Sequence, residues 1–332
     1  MSNPPRTLLV LSRQEIDDLL NLESVIESQR AAFISLASGT AQLAPRVLLS
    51  NSDDGSVAFC YAARLSPDTG PVCKFGSVNP ANPSAGLPSV SALVVVLDTR
   101  TGQPRALLDG EAITTARTPA ASVVAARALA HSGVHVVSVL GCGTQGRAHA
   151  RALARSLPVS EVRMWSPFPD ERERVAAELT TELEVKVLAV DTAFDAAAGA
   201  SIIVTATTSS EPVLRAEWIE PGTTILGVGS FAPQRREVGD DLIRRADAVV
   251  VDHLDTALVQ AGPIVHAVSS GALIPEHIAS LGEVLTGARQ GRTSDNDVIF
   301  YNSVGLGIQD AAAAWLALDR AAARCLGTKI NL

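Results

Sequence analysis

The sequence predicts an α/β protein of two domains: a doubly wound parallel sheet, and an α+β domain built on an antiparallel sheet. Three observations carry this expectation. A glycine-rich turn, Gly141-Cys142-Gly143-Thr144-Gln145-Gly146, links an apolar run to a helical pattern. From His135 onward, short apolar runs alternate with helical segments. Between Gln42 and about Asp98, strand-like runs follow one another with only Gly, Pro, Asn and Asp turns between them.

In chain order, residues 7–11 (TLLVL) read as a strand. Ser12 then starts a helix, with Glu15 three residues on completing a capping box. Leu22 to Ala37 forms a second amphipathic helix. Arg46 to Leu49, Ser56 to Ala63, Pro71 to Val78 and Ser89 to Asp98 read as strands. Thr101-Gly102-Gln103-Pro104 makes a hairpin turn, and Ala106 to Leu108 continues the sheet. Gly110 to Ser132 is an Ala-rich helical segment interrupted by Pro119. Strands are then expected at 135–140, 161–165, 185–189, 202–206, 223–228 and 247–251. After Gln309 the chain ends in an Ala-rich helix. The expected domains are 1–120 with 309–332, and 121–308.

Composition narrows the class of function. A chain of 332 residues with 47% hydrophobic and 4% aromatic content builds aliphatic cores in two domains. A net charge of -8 without a basic block argues against nucleic acid or an anionic membrane as partner. No run approaches the roughly 20 apolar residues of a membrane helix. The apolar run near the N-terminus is too short for a signal peptide. Cys60, Cys73, Cys142 and Cys325 are scattered, which fits a reducing cytoplasm. They show no metal or redox spacing, and the six histidines show none, so no metal is expected. His149, on the helix after the glycine turn, reads as a polar surface residue.

The glycine turn carries the first chemistry. Gly141 makes the tight turn, Gly143 lets backbone approach a pyrophosphate, and Gly146 lets helix pack close to strand. Thr144 and Gln145 present backbone N–H groups at the helix N-terminus. This is a Rossmann dinucleotide pattern, so a nicotinamide or flavin cofactor is expected. NAD enzymes place Asp or Glu about 20 residues further on. Here that count reaches Ser166, which removes the carboxylate that would repel a 2′-phosphate. The reading therefore leans to NADPH over NADH, with Arg172 or Arg174 within reach of the phosphate.

Many motifs occur in one order: Pro45-Arg46, Cys73-Lys74-Phe75, Asn79 to Asn82 with Gly86-Leu87-Pro88-Ser89, and Leu107 to Gly110. Thr114 to Thr118, Gly141 to Gly146, Thr205-Ala206-Thr207 and Ser303 to Leu306 follow. Together they resemble the ornithine cyclodeaminase/μ-crystallin family across nearly the whole chain. The resemblance implies a Rossmann domain plus an antiparallel-sheet domain used for dimerisation, and so a homodimer. It implies NAD(P)-linked chemistry at the Cα–N bond of a small amino or imino acid. Arg46 and Lys74 would hold the substrate carboxylate, and Arg117 would lie between substrate and nicotinamide. Lys74 is also a candidate proton donor, because burial depresses a lysine pKa. Val304 would border the substrate. Ser89, Arg117, Thr207, Val228, Gly229, Ser230, Arg235 and Ser303 would complete the cofactor set with the glycine turn and Ser166.

The loop from Gly227 to Glu237 separates two chemistries. In cyclodeaminases of the family an aspartate base stands where this chain has Phe231. The resemblance therefore favours reduction of a 2-imino acid (ketimine) to an L-amino acid, or the reverse dehydrogenation, by hydride transfer between nicotinamide C4 and substrate Cα. A cyclodeaminase acting on ornithine or lysine with tightly bound NAD, and a non-catalytic ligand carrier, are the competing readings. Glu237 and Asp240 read as helix N-terminal carboxylates stabilised by the helix dipole.

Overall fold

The computed structural model describes residues 7–331; residues 1–6, ahead of the N-terminal apolar run, and Leu332 lie outside the described residues. Contacts divide the chain into two compact units. One takes in the chain up to Arg117 and from Leu306 onward, and the other is Thr118–Gly305.

The first unit is built on an eight-stranded sheet. Its order is 328–331, 7–11, 104–109, 90–97, 72–78, 57–64, 42–43, with 47–50 also paired to 57–64. The sheet is mixed rather than wholly antiparallel: Thr7–Leu11 runs parallel to Pro104–Asp109 and antiparallel to Thr328–Asn331. Both partners of this first strand are remote in sequence, so no hairpin turn constrains its direction. The strand Thr328–Asn331 follows the Ala-rich helix, where the sequence reading had ended the chain in that helix. Ser12 and Glu15 form the expected reciprocal capping box.

The two faces of this sheet differ sharply. Tyr61, Lys74, Val94 and Leu108 stand opposite one another across four strands, and all are buried. The helix Gly307–Arg324 packs on the strands that carry Tyr61 and Lys74, and its alanines join the core formed by Leu11, Ile16, Leu19, Val94 and Leu108. Gly307 permits the approach, because a Cβ there would stand 3.1 Å from the Tyr61 ring and the Ala63 methyl. On the opposite face Val47, Phe75 and Leu93 lie in one cross-strand row and are 56%, 57% and 50% exposed.

The second unit is an all-parallel sheet of order 186–189, 159–165, 135–140, 202–205, 224–227, 299–302, 248–251, 278–280. The strand order reverses between His135–Leu140 and Ile202–Thr205, as in a doubly wound dinucleotide fold. Two strands escaped the sequence reading, Ile278–Ser280 and Ile299–Asn302. Both are four residues or fewer, too short for a periodic pattern, and the second inserts between Thr224–Gly227 and Ala248–Val251. The helix Gly110–Leu129 is not interrupted at Pro119 but continues through it. Proline there removes one backbone hydrogen bond, and the buried run Ala120, Ala121, Val123, Val124, Ala125 keeps the helix in place.

The glycine turn has a steric explanation at each position. Gly141 has φ +115°, and a Cβ there would collide with the carbonyl of Ala206 on the neighbouring strand's exit. A Cβ at Gly146 would collide with the Gly141 carbonyl oxygen, whereas Gly143 faces open space. Gly146→Ala is therefore expected to destabilise the protein by more than about 2 kcal/mol. Gly143→Ala should change stability by less than about 1 kcal/mol while weakening dinucleotide binding. Urea unfolding curves, read beside cofactor titrations of the same variants, check both.

Candidate active site

In the first unit, one strand, two helices and their neighbours bring several charged groups together out of water. Lys74 projects from Val72–Val78 onto the buried face, where its Nζ donates to Asp310 Oδ1 at 3.0 Å and to the Thr114 hydroxyl. Asp310 lies on the first turn of Gly307–Arg324 and is 1% exposed. Its other oxygen accepts from the Tyr61 hydroxyl at 3.0 Å. The Arg117 Nε stands 3.5 Å from Asp310 Oδ1, and Arg117 also donates to Gln309 Oε1 at 3.3 Å. Arg46 lies over the Tyr61 ring, 4.8 Å from its centroid. The structure thus groups Arg46, Lys74 and Arg117 about Tyr61 and Asp310.

The electrostatics follow from burial. Burial pulls the Lys74 ammonium below the usual lysine range, and the Asp310 charge opposes that shift. Burial pushes the Asp310 carboxyl up, but the Lys74 and Arg117 charges outweigh it and hold it below the usual carboxylate range. Burial and then the Asp310 charge push the Tyr61 hydroxyl up, so it stays protonated and donates. The cluster carries three basic side chains, Arg46, Lys74 and Arg117, against the single carboxylate of Asp310, which suits it to an anionic ligand.

In the second unit the glycine turn opens the helix Thr144–Ser156 with Gly143 as a cap that has no side-chain hydrogen bond. Free N–H groups and open space beside Gly143 form a cradle that fits a pyrophosphate. The strand exits nearby are held by two buried carboxylates. Asp252 accepts from the backbone N–H groups of Val304 and Gly305, both at 2.8 Å, and from the Ser303 hydroxyl at 3.2 Å. Glu237 accepts from the Thr207 N–H at 2.6 Å and from the hydroxyls of Thr207, Thr205 and Ser230. Gly229 must lack a side chain, since a Cβ would collide with the Glu237 carboxyl. Val228 and Ser230 are buried beside it, while Ser89 is exposed in the first unit.

Several expectations need correction. Glu237 is not a helix N-terminal carboxylate: the helix is Asp240–Arg245, and Glu237 is buried three residues before it. Asp240 does lie in that first turn, bonded to His266 and Ser270. His149 is not a surface residue but fully buried, its two ring nitrogens engaged by Ser122 Oγ at 2.9 Å and the Gln145 carbonyl at 2.7 Å. Those two partners satisfy an imidazole that desolvation would otherwise penalise. Arg172, expected within reach of a 2′-phosphate, is buried and already donates to the Ser166 carbonyl and to Asp191. Arg174 stays exposed, paired with Glu178. The Ser166 hydroxyl donates to Glu171 at 2.8 Å. Phe231 sits against the apolar core under the Arg235 guanidinium, 4.5 Å from its ring centroid.

The sequence reading missed Tyr61, Thr114, Gln309, Asp310, Glu237 and Asp252. A signal existed for Asp310, a lone carboxylate ahead of an alanine run, and for Asp252, an acid closing the apolar strand Ala248–Val251. Burial pushes the Cys142 thiol in the glycine turn up to about 12, so it stays a protonated thiol near neutral pH. Among the described residues no group of three His, Cys, Asp or Glu is placed to hold a metal ion, and no helix is long and apolar enough to cross a membrane.

A dinucleotide cradle at the carboxyl edge of a doubly wound sheet, and a buried lysine with two arginines, define an NAD(P)-dependent oxidoreductase acting at a carbon–nitrogen bond. The chain belongs to the ornithine cyclodeaminase/mu-crystallin family, which it matches over residues 6–324. It is 33% identical to an alanine dehydrogenase of Archaeoglobus fulgidus, covering 97% of this chain and 98% of that one. Its fold is similar to that of Thermococcus litoralis Δ1-pyrroline-2-carboxylate reductase, solved with NADH and L-proline. The TM-score is 0.94, with 31% identity over 97% of this chain and 100% of that one. An archaeal alanine dehydrogenase dimer with bound NAD is similar at TM-score 0.93, with 31% identity over 98% of this chain and all of that one.

Breaking the Asp310 pairing should be costly, since it leaves Lys74 buried without its carboxylate. Asp310→Asn is expected to lose about 3 kcal/mol of stability at neutral pH. The carboxyl is depressed in the folded state, so its contribution is fully present above the ordinary value of 3.8 and is lost as pH falls through the lower folded value. Urea midpoints of the two proteins should therefore converge on acidification; a gap that widens at low pH would contradict the assignment.

Proposed function

We propose that this chain reduces a small 2-imino acid to the L-amino acid with NAD(P)H, and catalyses the reverse amino acid dehydrogenation. The observation that carries the reading is the buried Lys74–Asp310–Arg117 cluster: a proton donor beside cations that fit a carboxylate. When bound, the reduced nicotinamide supplies a hydride equivalent to the substrate Cα. Arg46 and Arg117 bind and orient the substrate carboxylate, because a guanidinium can hold both of its oxygens. Lys74 Nζ delivers the proton that the imine nitrogen gains as its C=N bond becomes C–N. Asp310 keeps that ammonium charged and aimed, and Tyr61 holds Asp310 in turn. Thr144 and Gln145 N–H groups hold the pyrophosphate, and Thr207, Ser230 and Ser303 line the nicotinamide half.

Phe231 supports reduction over cyclodeamination, since no carboxylate acts from that position. Glu237 does not replace it, because both of its oxygens are occupied by Thr205, Thr207 and Ser230. For the cofactor, Ser166 alone favours NADPH, but Glu171 places a carboxylate on its hydroxyl and Arg172 is engaged by Asp191. A 2′-phosphate there would meet the Glu171 charge, which supports NADH as the cofactor. For assembly, the exposed row Val47, Phe75 and Leu93, with Leu49 two residues on from Val47 on the same face, supports a homodimer through this sheet face.

NAD(P)H consumption, followed by absorbance with cyclic imines and with 2-oxo acids plus ammonia or methylamine, tests the activity. Turnover with at least one imine is expected, and kcat/KM should favour NADH by at least about tenfold. Lys74→Met should lower kcat by about two orders of magnitude or more. Ammonia release from ornithine or lysine without net cofactor change would instead establish a cyclodeaminase. Separately, Phe75→Asp should shift sedimentation from dimer to monomer; an unchanged sedimentation coefficient would move the interface elsewhere.

A further inference from the structure

Glu237 is a carboxylate that the reaction above does not use. It is 1% exposed, yet four donors converge on it. Oε1 accepts from the Thr207 N–H at 2.6 Å and the Thr207 hydroxyl at 2.8 Å. Oε2 accepts from the Thr205 hydroxyl at 3.0 Å and the Ser230 hydroxyl at 3.3 Å. An ionised carboxylate accepts all four bonds, whereas a neutral acid would have to spend one oxygen as a donor. Burial pushes the group above the usual carboxylate range, and the hydrogen bonds from Thr207, Thr205 and Ser230 pull against that rise. The opposing charge that senses it belongs to Arg235, which is drawn over the Phe231 ring.

Position gives this anion a meaning. In a doubly wound sheet the dinucleotide lies outside the carboxyl ends of the strands, across the point where strand order reverses. Here the glycine turn follows His135–Leu140, so the adenosine half belongs over that strand and Val159–Trp165. The nicotinamide half then belongs over Ile202–Thr205 and Thr224–Gly227. Glu237 is bonded to the last residue of the first of these strands and to Ser230, just beyond the second. The oxidised nicotinamide ring is a cation and the reduced ring is neutral. A fixed anion in low dielectric therefore acts on one redox state and not the other.

We propose that Glu237 is a buried counter-charge to the nicotinamide, held by Thr205, Thr207 and Ser230, that raises the affinity for the oxidised cofactor relative to the reduced one. It is a positioning residue as well, since it fixes the Thr207 backbone. The inference rests on the reading of Thr118–Gly305 as a nicotinamide-dinucleotide unit.

The test is equilibrium binding to the full chain: NADH by fluorescence titration and NAD+ by competition, in the native protein, Glu237→Gln and Glu237→Asp. In Glu237→Gln, NAD+ should weaken about tenfold more than NADH. In Glu237→Asp, which keeps the charge but loses reach, both should weaken with their ratio held within roughly twofold. Equal weakening of both cofactors by Glu237→Gln would reduce Glu237 to a structural strut and overturn the proposal. Should that variant fail to fold, the native protein decides: comparable affinities, or tighter NAD+, support the counter-charge. NADH bound more than about tenfold tighter than NAD+ overturns it. If the native protein binds neither, the cofactor reading itself falls, and this inference with it.

Discussion

A charge removed from water has to be answered inside the protein, and that constraint organises both units. In the first, Lys74 and Asp310 are each almost wholly buried and answer one another at 3.0 Å. The pair ties the strand Val72–Val78 to the helix Gly307–Arg324, residues more than two hundred apart in sequence. Tyr61, Thr114, Arg117 and Gln309 are then placed by what this pair still needs: donors for the second carboxylate oxygen and an acceptor for the ammonium. The site is therefore part of the unit's core rather than an addition to its surface.

The second unit meets the same constraint mainly with neutral donors, Arg235 being the charge that opposes Glu237. Asp252 and Glu237 are buried carboxylates answered mainly by backbone N–H groups and hydroxyls. Each sits at the carboxyl edge of the sheet and each secures a loop that leaves it. Such loops would otherwise be the mobile part of a doubly wound fold, because their backbone groups lie beyond the ladder. Satisfying them with a carboxylate makes them rigid, and rigid loops hold a cofactor with less ordering to be done on binding. Gly229 shows how tightly this is built, since no side chain fits between Thr207 and Glu237.

The two sheets also assign their apolar surfaces differently. The parallel sheet is buried on both faces: Leu140, Ile203 and Phe300 join one core, and the row Val139, Val204 and Leu226 is buried on the other face. The mixed sheet buries one face under an Ala-rich helix and leaves Val47, Phe75 and Leu93 outward. A row of large apolar side chains on the outer face of a sheet is costly in water unless something covers it. The proposed homodimer would satisfy that requirement by symmetry.

The glycine turn and the alternating pattern from His135 were legible in the sequence because each depends on local chemistry, whereas Arg46, Lys74 and Arg117 were singled out by the family resemblance. A turn needs glycine at given offsets, and a short apolar run bounded by turns can be recognised within a few residues. Asp310, Glu237 and Asp252 were not legible as site groups, and neither was the buried state of His149 and Arg172. A carboxylate in Asp240–Arg245 and one in Glu237 look alike in a string of letters, as do a solvated and a buried arginine. Their roles are set by desolvation and by partners as remote as Ser122 to His149 or Lys74 to Asp310. The sequence by itself determined the fold class and the presence of a dinucleotide turn, since these follow from local sterics and hydrophobic period. Only the tertiary structure decided which charges are buried and what answers them, because burial is a property of neighbours that sequence separation does not reveal.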